Sequence, residues 1–321
     1  MTAVPVIDLG GFVDAPPDER ARVAREIDDA CRRVGFFTVT GHRIADSVVA
    51  DLEREARRFF ALPLADRMTV AMPEPGYPYG YAPPEAEALN RSIGGAALPD
   101  LKATFNVGPI DLPPRPAAEM EDPHERAVYS PNLWPATLAT LRPAVENYYR
   151  AMSALADTLM EAFALALGLP ADHFDGMIDQ HGSALRLAHY PAIPPEVDLT
   201  DRFRAGAHTD YGTLTILWTD GQPGLQVLLP DAGWTDVDPV DGGLIVNLGD
   251  LMARWTNDRW CSTMHRVVPV PGAGDRLSIP FFHNANWNAR IECIIDEGEV
   301  PRYSSTTAGR HLIEKFRSAQ L

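Results

Sequence analysis

The stretch GAHTDYGTLTIL, residues 206–217, sets a histidine and an aspartate two positions apart at the head of an otherwise apolar run. The run reads as a buried β-strand, and on a strand residues i and i+2 point to one face. His208 and Asp210 then project together while Thr209 points away. An imidazole nitrogen and a carboxylate oxygen on one face are two arms of a metal site, and the third must come from a distant strand. His-x-Asp alone is a weak signal: with 9 histidines in the chain, about one chance occurrence is expected. His173-Phe174-Asp175 repeats it after the GLPAD turn, where aspartate serves to cap a helix start. That pair is read as structural.

Downstream residues separate the two cases. His265 opens the strand-like run HRVVPV, and Arg276 and Ser278 follow in DRLSIPFF, again at i and i+2. A guanidinium fork and a hydroxyl on one strand face suit a carboxylate. Two histidines and one carboxylate leave open positions on a metal, the arrangement of non-haem Fe(II) oxygenases, and a bidentate 2-oxo acid and dioxygen would fill them.

Composition supports a specific anion site over a general one. The formal net charge is -16 over 321 residues, so the protein's field repels nucleic-acid backbones and anionic lipid surfaces. Any anionic ligand needs a local cation, which Arg276 supplies. The 45% hydrophobic and 22% charged content is that of an ordinary globular protein with a sizeable core. Three widely spaced cysteines, Cys31, Cys261 and Cys293, form neither a disulfide framework nor a zinc ribbon and are expected as reduced thiols. The beginning MTAVPVIDLGGF lacks the features of a secretory signal, and no apolar stretch reaches the roughly 20 residues of a membrane span. A cytoplasmic location is expected.

The hydrophobic period predicts an amphipathic helix from Asp18 to Val34, a strand at FFTVTG, a helix over Asp46 to Ala61 and a long helix over Leu138 to Leu167 that packs across a sheet. Val4 to Leu9, broken by Pro5, suits an edge strand. Residues 73–116 hold ten of the 29 prolines and read as a long irregular segment, either a lid over a site or a surface wrap. After residue 180, LTILW, GLQVLL, GLIVNL, HRVVPV and LSIPFF are short β-rich runs separated by turn residues, the mark of a sandwich or barrel. The expected organisation is one elaborated domain: an N-terminal helical and loop region over 1–135, a supporting helix over 136–168, a mainly β core over 180–295, and a C-terminal helix or tail over 296–321.

On these residues the chain resembles the 2-oxoglutarate and Fe(II)-dependent dioxygenases of the isopenicillin N synthase-like family. PVIDLGGF, GFFTVTGH, LRLAHYP, AHTDYGTLTIL, NLGD and PRYSSTTAGRHLIEKF match family segments in the family's order over nearly the whole chain. The resemblance implies a distorted double-stranded β-helix, or jelly roll, with flanking helices. It implies His208, Asp210 and His265 as iron ligands and Arg276 with Ser278 as the clamp on the co-substrate's far carboxylate. Tyr190 stands where the family often has a tyrosine reaching that carboxylate. Arg186, four residues earlier on the same strand face, is grouped with the co-substrate residues and either contacts the co-substrate or substrate acid or pairs structurally. The implied reaction couples oxidative decarboxylation of 2-oxoglutarate by O2, giving succinate and CO2, to oxidation of a small organic molecule, by default hydroxylation and otherwise desaturation or ring closure.

Departures from the family are local. Ala188 stands where plant members often have asparagine, and NAN at 284–286 where many relatives read DPN. Asn247 and Asp250 of NLGD read as shaping a turn before the next strand, and His283, seven residues after Arg276, falls on the opposite strand face and receives no ligand role. Tyr77, Tyr79, Tyr81, Phe105 and Phe282 are candidates for an aromatic pocket lining, with 73–116, 192–207 and the C-terminal tail as pocket walls. Three other functions use the same residues: an isopenicillin N synthase-like oxidase that does not use 2-oxoglutarate, a zinc hydrolase on the same ligands, and a non-catalytic jelly-roll binding protein.

Overall fold

Alternation along the strands divides their side chains between a face covered by helices and a face lining a cleft. In the computed structural model, residues 4–74, 76–86, 98–111, 119–193, 199 and 202–320 are described. The N-terminal half runs β1 (Val6–Asp8), α1 (Pro17–Arg33), β2 (Phe36–Thr40), α2 (Asp46–Ala61), α3 (Leu64–Met68), β3 (Gly80–Ala82), β4 (Ala103–Val107), α4 (Pro123–Val128), α5 (Leu141–Ala166) and α6 (Asp175–Ile178). Then follow β5 (Ala184–Tyr190), β6 (Ala205–His208), β7 (Leu214–Thr219), β8 (Leu225–Leu229), β9 (Gly233–Asp236), β10 (Leu244–Leu248), α7 (Asp250–Trp255), β11 (His265–Val267), β12 (Arg276–His283), β13 (Arg290–Ile291), β14 (Thr306–Thr307) and α8 (Ala308–Gln320).

Eight strands form the larger sheet in the order β1-β2-β10-β7-β12-β5-β4-β3, and four form the smaller in the order β6-β11-β8-β9. The two sheets with their flanking helices make the distorted double-stranded β-helix that the family resemblance implies. On β12, Leu277, Ile279 and Phe281 are fully buried among helix-side residues, while Arg276, Ser278, Pro280 and Phe282 line the cleft. The long helix α5 packs on β12 and β7, with α1 and α2 against it. Its rings lock that layer: Phe163 meets Phe37 and Trp260 edge-on, and Tyr149 meets Phe281 at 5.0 Å between centroids.

The proline-rich segment differs from its expectation where it is described. Ala103–Val107, with aromatic and β-branched residues, pairs antiparallel with β5, and Gly80–Ala82 pairs with it in turn. The prolines fall outside both strands, where they break no ladder. Residues 75, 87–97 and 112–118, on which a lid would also depend, lie outside the described residues, as do 194–198, 200 and 201 of the second expected wall.

Candidate active site

The smaller sheet supplies both histidines. β11 lies antiparallel between β6 and β8 and sets His265 directly across from His208, their ring centroids 4.3 Å apart. Nδ1 of His208 lies 2.7 Å from the Gly206 carbonyl oxygen, and Nδ1 of His265 lies 3.1 Å from that of Thr263. A carbonyl only accepts, so each Nδ1 carries the proton and each Nε2 turns a lone pair to the cleft. Those Nε2 atoms lie 3.9 and 3.8 Å from Oδ1 of Asp210. One ligand atom from each of the three residues falls within 4.8 Å of the others, so one ion can be shared.

His208 and Asp210 do not share a strand, contrary to the pattern. β6 ends at His208, and Asp210 lies in the crossing to β7, which belongs to the other sheet. The crossing is pinned from the start of α7: the Asp250 N–H donates to the Asp210 carbonyl at 2.7 Å, and the Leu251 N–H to those of Tyr211 and Gly212. Gly249 permits the close approach, because a β-carbon there would lie 2.3 Å from the Gly212 carbonyl oxygen.

Asp210 is oriented by its neighbours. Its Oδ2 accepts hydrogen bonds from Thr215 Oγ1 at 2.5 Å and Asn247 Nδ2 at 2.8 Å, leaving Oδ1 to the histidines. Burial works to raise the Asp210 pKa, but His265, His208 and those two hydrogen bonds outweigh it and hold the carboxyl below its ordinary range. Burial, then the neighbouring His265, push His208 down to about 3. A neutral imidazole at His208 and an ionised carboxylate at Asp210 are protonation states that bind a metal.

Asn247 therefore does more than shape a turn, and NLGD leads into α7, not a strand. Its signal was present in the sequence, since alternation from Ile245 puts Asn247 on the cleft face of an apolar strand, where a buried amide needs a partner. Asp250 accepts from Thr209 Oγ1 and Ser262 Oγ and is ion-paired with Lys315 of α8 at 2.6 Å. The second His-x-Asp lies away from the cleft. The cap residue of α6 is Phe174 and Asp175 stands in the first turn, so its expected capping role is corrected while the pair stays structural.

The larger sheet faces the triad with the remaining sequence candidates. β12 pairs with β5 so that Arg276 lies opposite Tyr190 and Ser278 opposite Ala188. Ser278 Oγ is 3.5 Å from the Tyr190 hydroxyl, and the Arg276 guanidinium lies 5.1 Å from the Tyr190 ring centroid. Arg276 is 1% exposed; its Nε donates to the Gln222 carbonyl at 3.3 Å, and its Nη1 has no partner among the described residues. Two places along β5, Arg186 donates from Nε to Asn106 Oδ1 at 2.7 Å, with its guanidinium 5.8 Å from the Phe282 ring centroid.

All seven candidates line one cleft with Asn247, Phe36, Phe282 and Lys102. Lys102 could not be found from sequence; its ammonium is buried and ion-paired with Asp100 at 2.9 Å, and Asp100 also accepts the Gly206 N–H. Of the five aromatic candidates only Phe282 lines this cleft. Tyr81 and Phe105 pack with Phe59 in the helix-side core, and Tyr77 and Tyr79 donate to the carbonyls of Pro131 and Val128. The C-terminal tail provides no lining residue among those described; Phe316 instead stacks edge-on against Tyr211. His283, on the helix side of β12, is hydrogen-bonded to Thr213 and takes no part in the cleft.

Two histidines and a carboxylate facing a buried arginine across a jelly roll are the arrangement of a non-haem iron oxygenase. The sequence comparisons agree. Residues 4–137 match the N-terminal family described as non-haem dioxygenase in morphine synthesis, and residues 182–285 match the 2OG-Fe(II) oxygenase superfamily. The 2-oxoglutarate-Fe(II) type oxidoreductase hxnY of Emericella nidulans is 34% identical over 95% of this chain and 87% of the relative. Homoarginine-6-hydroxylase 2-ODD-233 of Oryza sativa subsp. japonica is 32% identical over 98% and 96%. A full-length Neurospora crassa protein crystallised in complex with alpha-KG superposes with a TM-score of 0.85 at 30% identity, over 99% of this chain and 96% of that one; it has also been solved with thymine. The chain belongs to the 2-oxoglutarate/Fe(II)-dependent oxygenase family. It is an oxidoreductase that uses Fe(II), 2-oxoglutarate and O2 to oxidise a small organic substrate, with release of succinate and CO2. Among the described residues, no helix is long and apolar enough to cross a membrane.

Proposed function

We propose that His208, Asp210 and His265 hold Fe(II), that Arg276 and Ser278, assisted by Tyr190, hold the distal carboxylate of 2-oxoglutarate, and that Arg186 orients the primary substrate. The supporting observation is the convergence on one cleft of two outward Nε2 lone pairs, an ionised carboxylate and a buried guanidinium whose Nη1 lacks a partner among the described residues. The donor set fits Fe(II), and an uncompensated buried cation fits an acid.

With iron and co-substrate bound, one oxygen atom of O2 enters succinate and the other the hydroxyl of the product. The protein's part is placement and exclusion of water. Asn247 and Thr215 keep Asp210 Oδ1 turned inward, and the carbonyls of Gly206 and Thr263 keep the imidazoles in the metal-binding tautomer. Arg276 fixes one end of the co-substrate by charge and hydrogen bonding. Arg186, steered by Asn106 and lying over Phe282, suits a substrate that presents a carbonyl or carboxylate oxygen to the guanidinium and an apolar face to the ring. The relatives named for homoarginine hydroxylation and solved with thymine support a small polar substrate. Hydroxylation is the outcome proposed, and the expected cytoplasmic location is retained with it.

The test is anaerobic calorimetry with Fe(II) and then 2-oxoglutarate, followed by a substrate screen for stimulated succinate release. Alanine at His208, Asp210 or His265 should abolish iron binding; retention of iron by all three variants would refute the ligand assignment. Arg186→Gln should raise KM for the substrate found in the screen while 2-oxoglutarate affinity stays at the wild-type value. An equal loss of both would remove Arg186 from substrate binding.

A further inference from the structure

Behind the clamp lies a second arginine to which the sequence pattern assigns nothing. Arg204 stands one residue before β6, and its N–H donates to the Val267 carbonyl at 2.9 Å, anchoring it to the smaller sheet. Its side chain crosses to the larger sheet, where Nη2 donates to the carbonyls of Pro191 at 3.3 Å and Gly274 at 3.0 Å. Pro191 follows Tyr190, and Gly274 lies two residues before Arg276. The side chain is 0% exposed, and Nε and Nη1 are buried without a partner among the described residues.

A guanidinium keeps its charge in a protein, and an uncompensated buried charge is costly. Neither Arg204 nor Arg276 forms an ion pair among the described residues. Asp220 and Asp275, the acidic groups whose field reaches Arg204, are already engaged by Arg57 at 3.0 and 3.3 Å, and Leu277 N–H also donates to Asp220. Burial, then the like charge of Arg276, hold Arg204 below its ordinary value, so the two cations act on each other. Such a pair is relieved by one anion between or beside them.

We propose that Arg204 is a positioning residue for the co-substrate: a second buried cation, held behind Arg276 by the Pro191 and Gly274 carbonyls, that makes the site selective for 2-oxo acids bearing a distal carboxylate. The inference rests on the assignment of Arg276 and Ser278 to that carboxylate. It accounts for a fully buried arginine whose hydrogen-bond partners among the described residues are carbonyls alone.

The test is anaerobic calorimetry of the Mn(II)-loaded full chain with 2-oxoglutarate and with 2-oxopentanoate, which has the same chain length but ends in a methyl group. Arg204→Gln should weaken 2-oxoglutarate about tenfold, the effect of one further charge in a partly shielded site, and leave 2-oxopentanoate within about twofold of wild type. Arg204→Lys, which keeps the cation, should stay within about threefold for both acids. Equal loss of both acids in Arg204→Gln, no loss in that variant, or as large a loss in Arg204→Lys would overturn the inference. Arg276→Gln tests the assignment beneath it. If that variant binds 2-oxoglutarate like wild type, the clamp reading fails; if it loses affinity while Arg204→Gln does not, only the role of Arg204 fails.

Discussion

Replacing Asn247 with alanine removes one of two donors to Asp210 Oδ2 without touching any atom proposed to meet the metal. The bond is 2.8 Å long, its donor residue is 2% exposed, and its acceptor is an ionised carboxylate. A hydrogen bond to a charged group contributes about 1.5–3 kcal/mol. Thr215 still holds the same oxygen, so the carboxylate loses restraint without becoming orphaned. Replacement of residues that orient metal ligands lowers affinity about 10–100-fold, and the middle of that range, about 30-fold, corresponds to about 2 kcal/mol. Titration of the apoprotein with Mn(II) under anaerobic conditions reads this directly, and thermal melts without metal show whether the fold has changed. Thr215→Val should cause a comparable loss. Because both donors serve one oxygen, the double variant should depart from additivity by at least about 0.5 kcal/mol. If Asn247→Ala binds Mn(II) within twofold of wild type, the amide does not orient Asp210.

Phe59 is fully buried against Phe60, Tyr81 and Phe105, so Phe59→Ala should destabilise the chain by about 3–5 kcal/mol in denaturant unfolding; a loss under 1 kcal/mol would contradict the packing described. Lys102→Met takes the ammonium away from the buried Asp100 carboxylate and should cost about 3 kcal/mol, part of which Asp100→Asn in the same chain restores; an unchanged midpoint would show the ion pair to be inert. Burial, then Lys315, push His311 down to about 4, and burial, then His181, hold His283 well below its ordinary value. The unfolded chain takes up these protons near pH 6.5 and the native state refuses them, so the stability is complete above that pH. It should be lost as pH falls from about 6.5 toward 4, by up to about 1.4 kcal/mol per pH unit for each histidine. An unfolding midpoint that is constant between pH 7 and 5 would refute this.

Local pattern carried much of the fold. Residues 46–61 form the helix their period predicts, and β12 divides its side chains by simple alternation, which places Arg276 and Ser278 in the cleft and His283 out of it. Asp210 was correctly grouped with His208 for a mistaken reason: its direction comes from the start of α7, forty residues away, and no period of two encodes that contact. Asn247 carried a weak signal as an amide inside an apolar strand. Lys102 and Arg204 carried none, because a buried cation becomes legible only when the sheets meet. Tyr81 and Phe105 were misplaced for a related reason. An aromatic residue in a loop-like stretch does not say which side of a sheet it will face once that stretch becomes a strand.

Each imidazole proposed to meet the metal is set by the carbonyl of the residue two places before it, Gly206 for His208 and Thr263 for His265. Many histidine ligands depend on a side-chain carboxylate for this service, and such a partner can be lost in a single codon change. A main-chain oxygen survives every substitution at its own position. The tautomers of the two histidines are thus insulated from substitutions elsewhere in the cleft, at Arg186 or Phe282 for example, because main-chain oxygens set them.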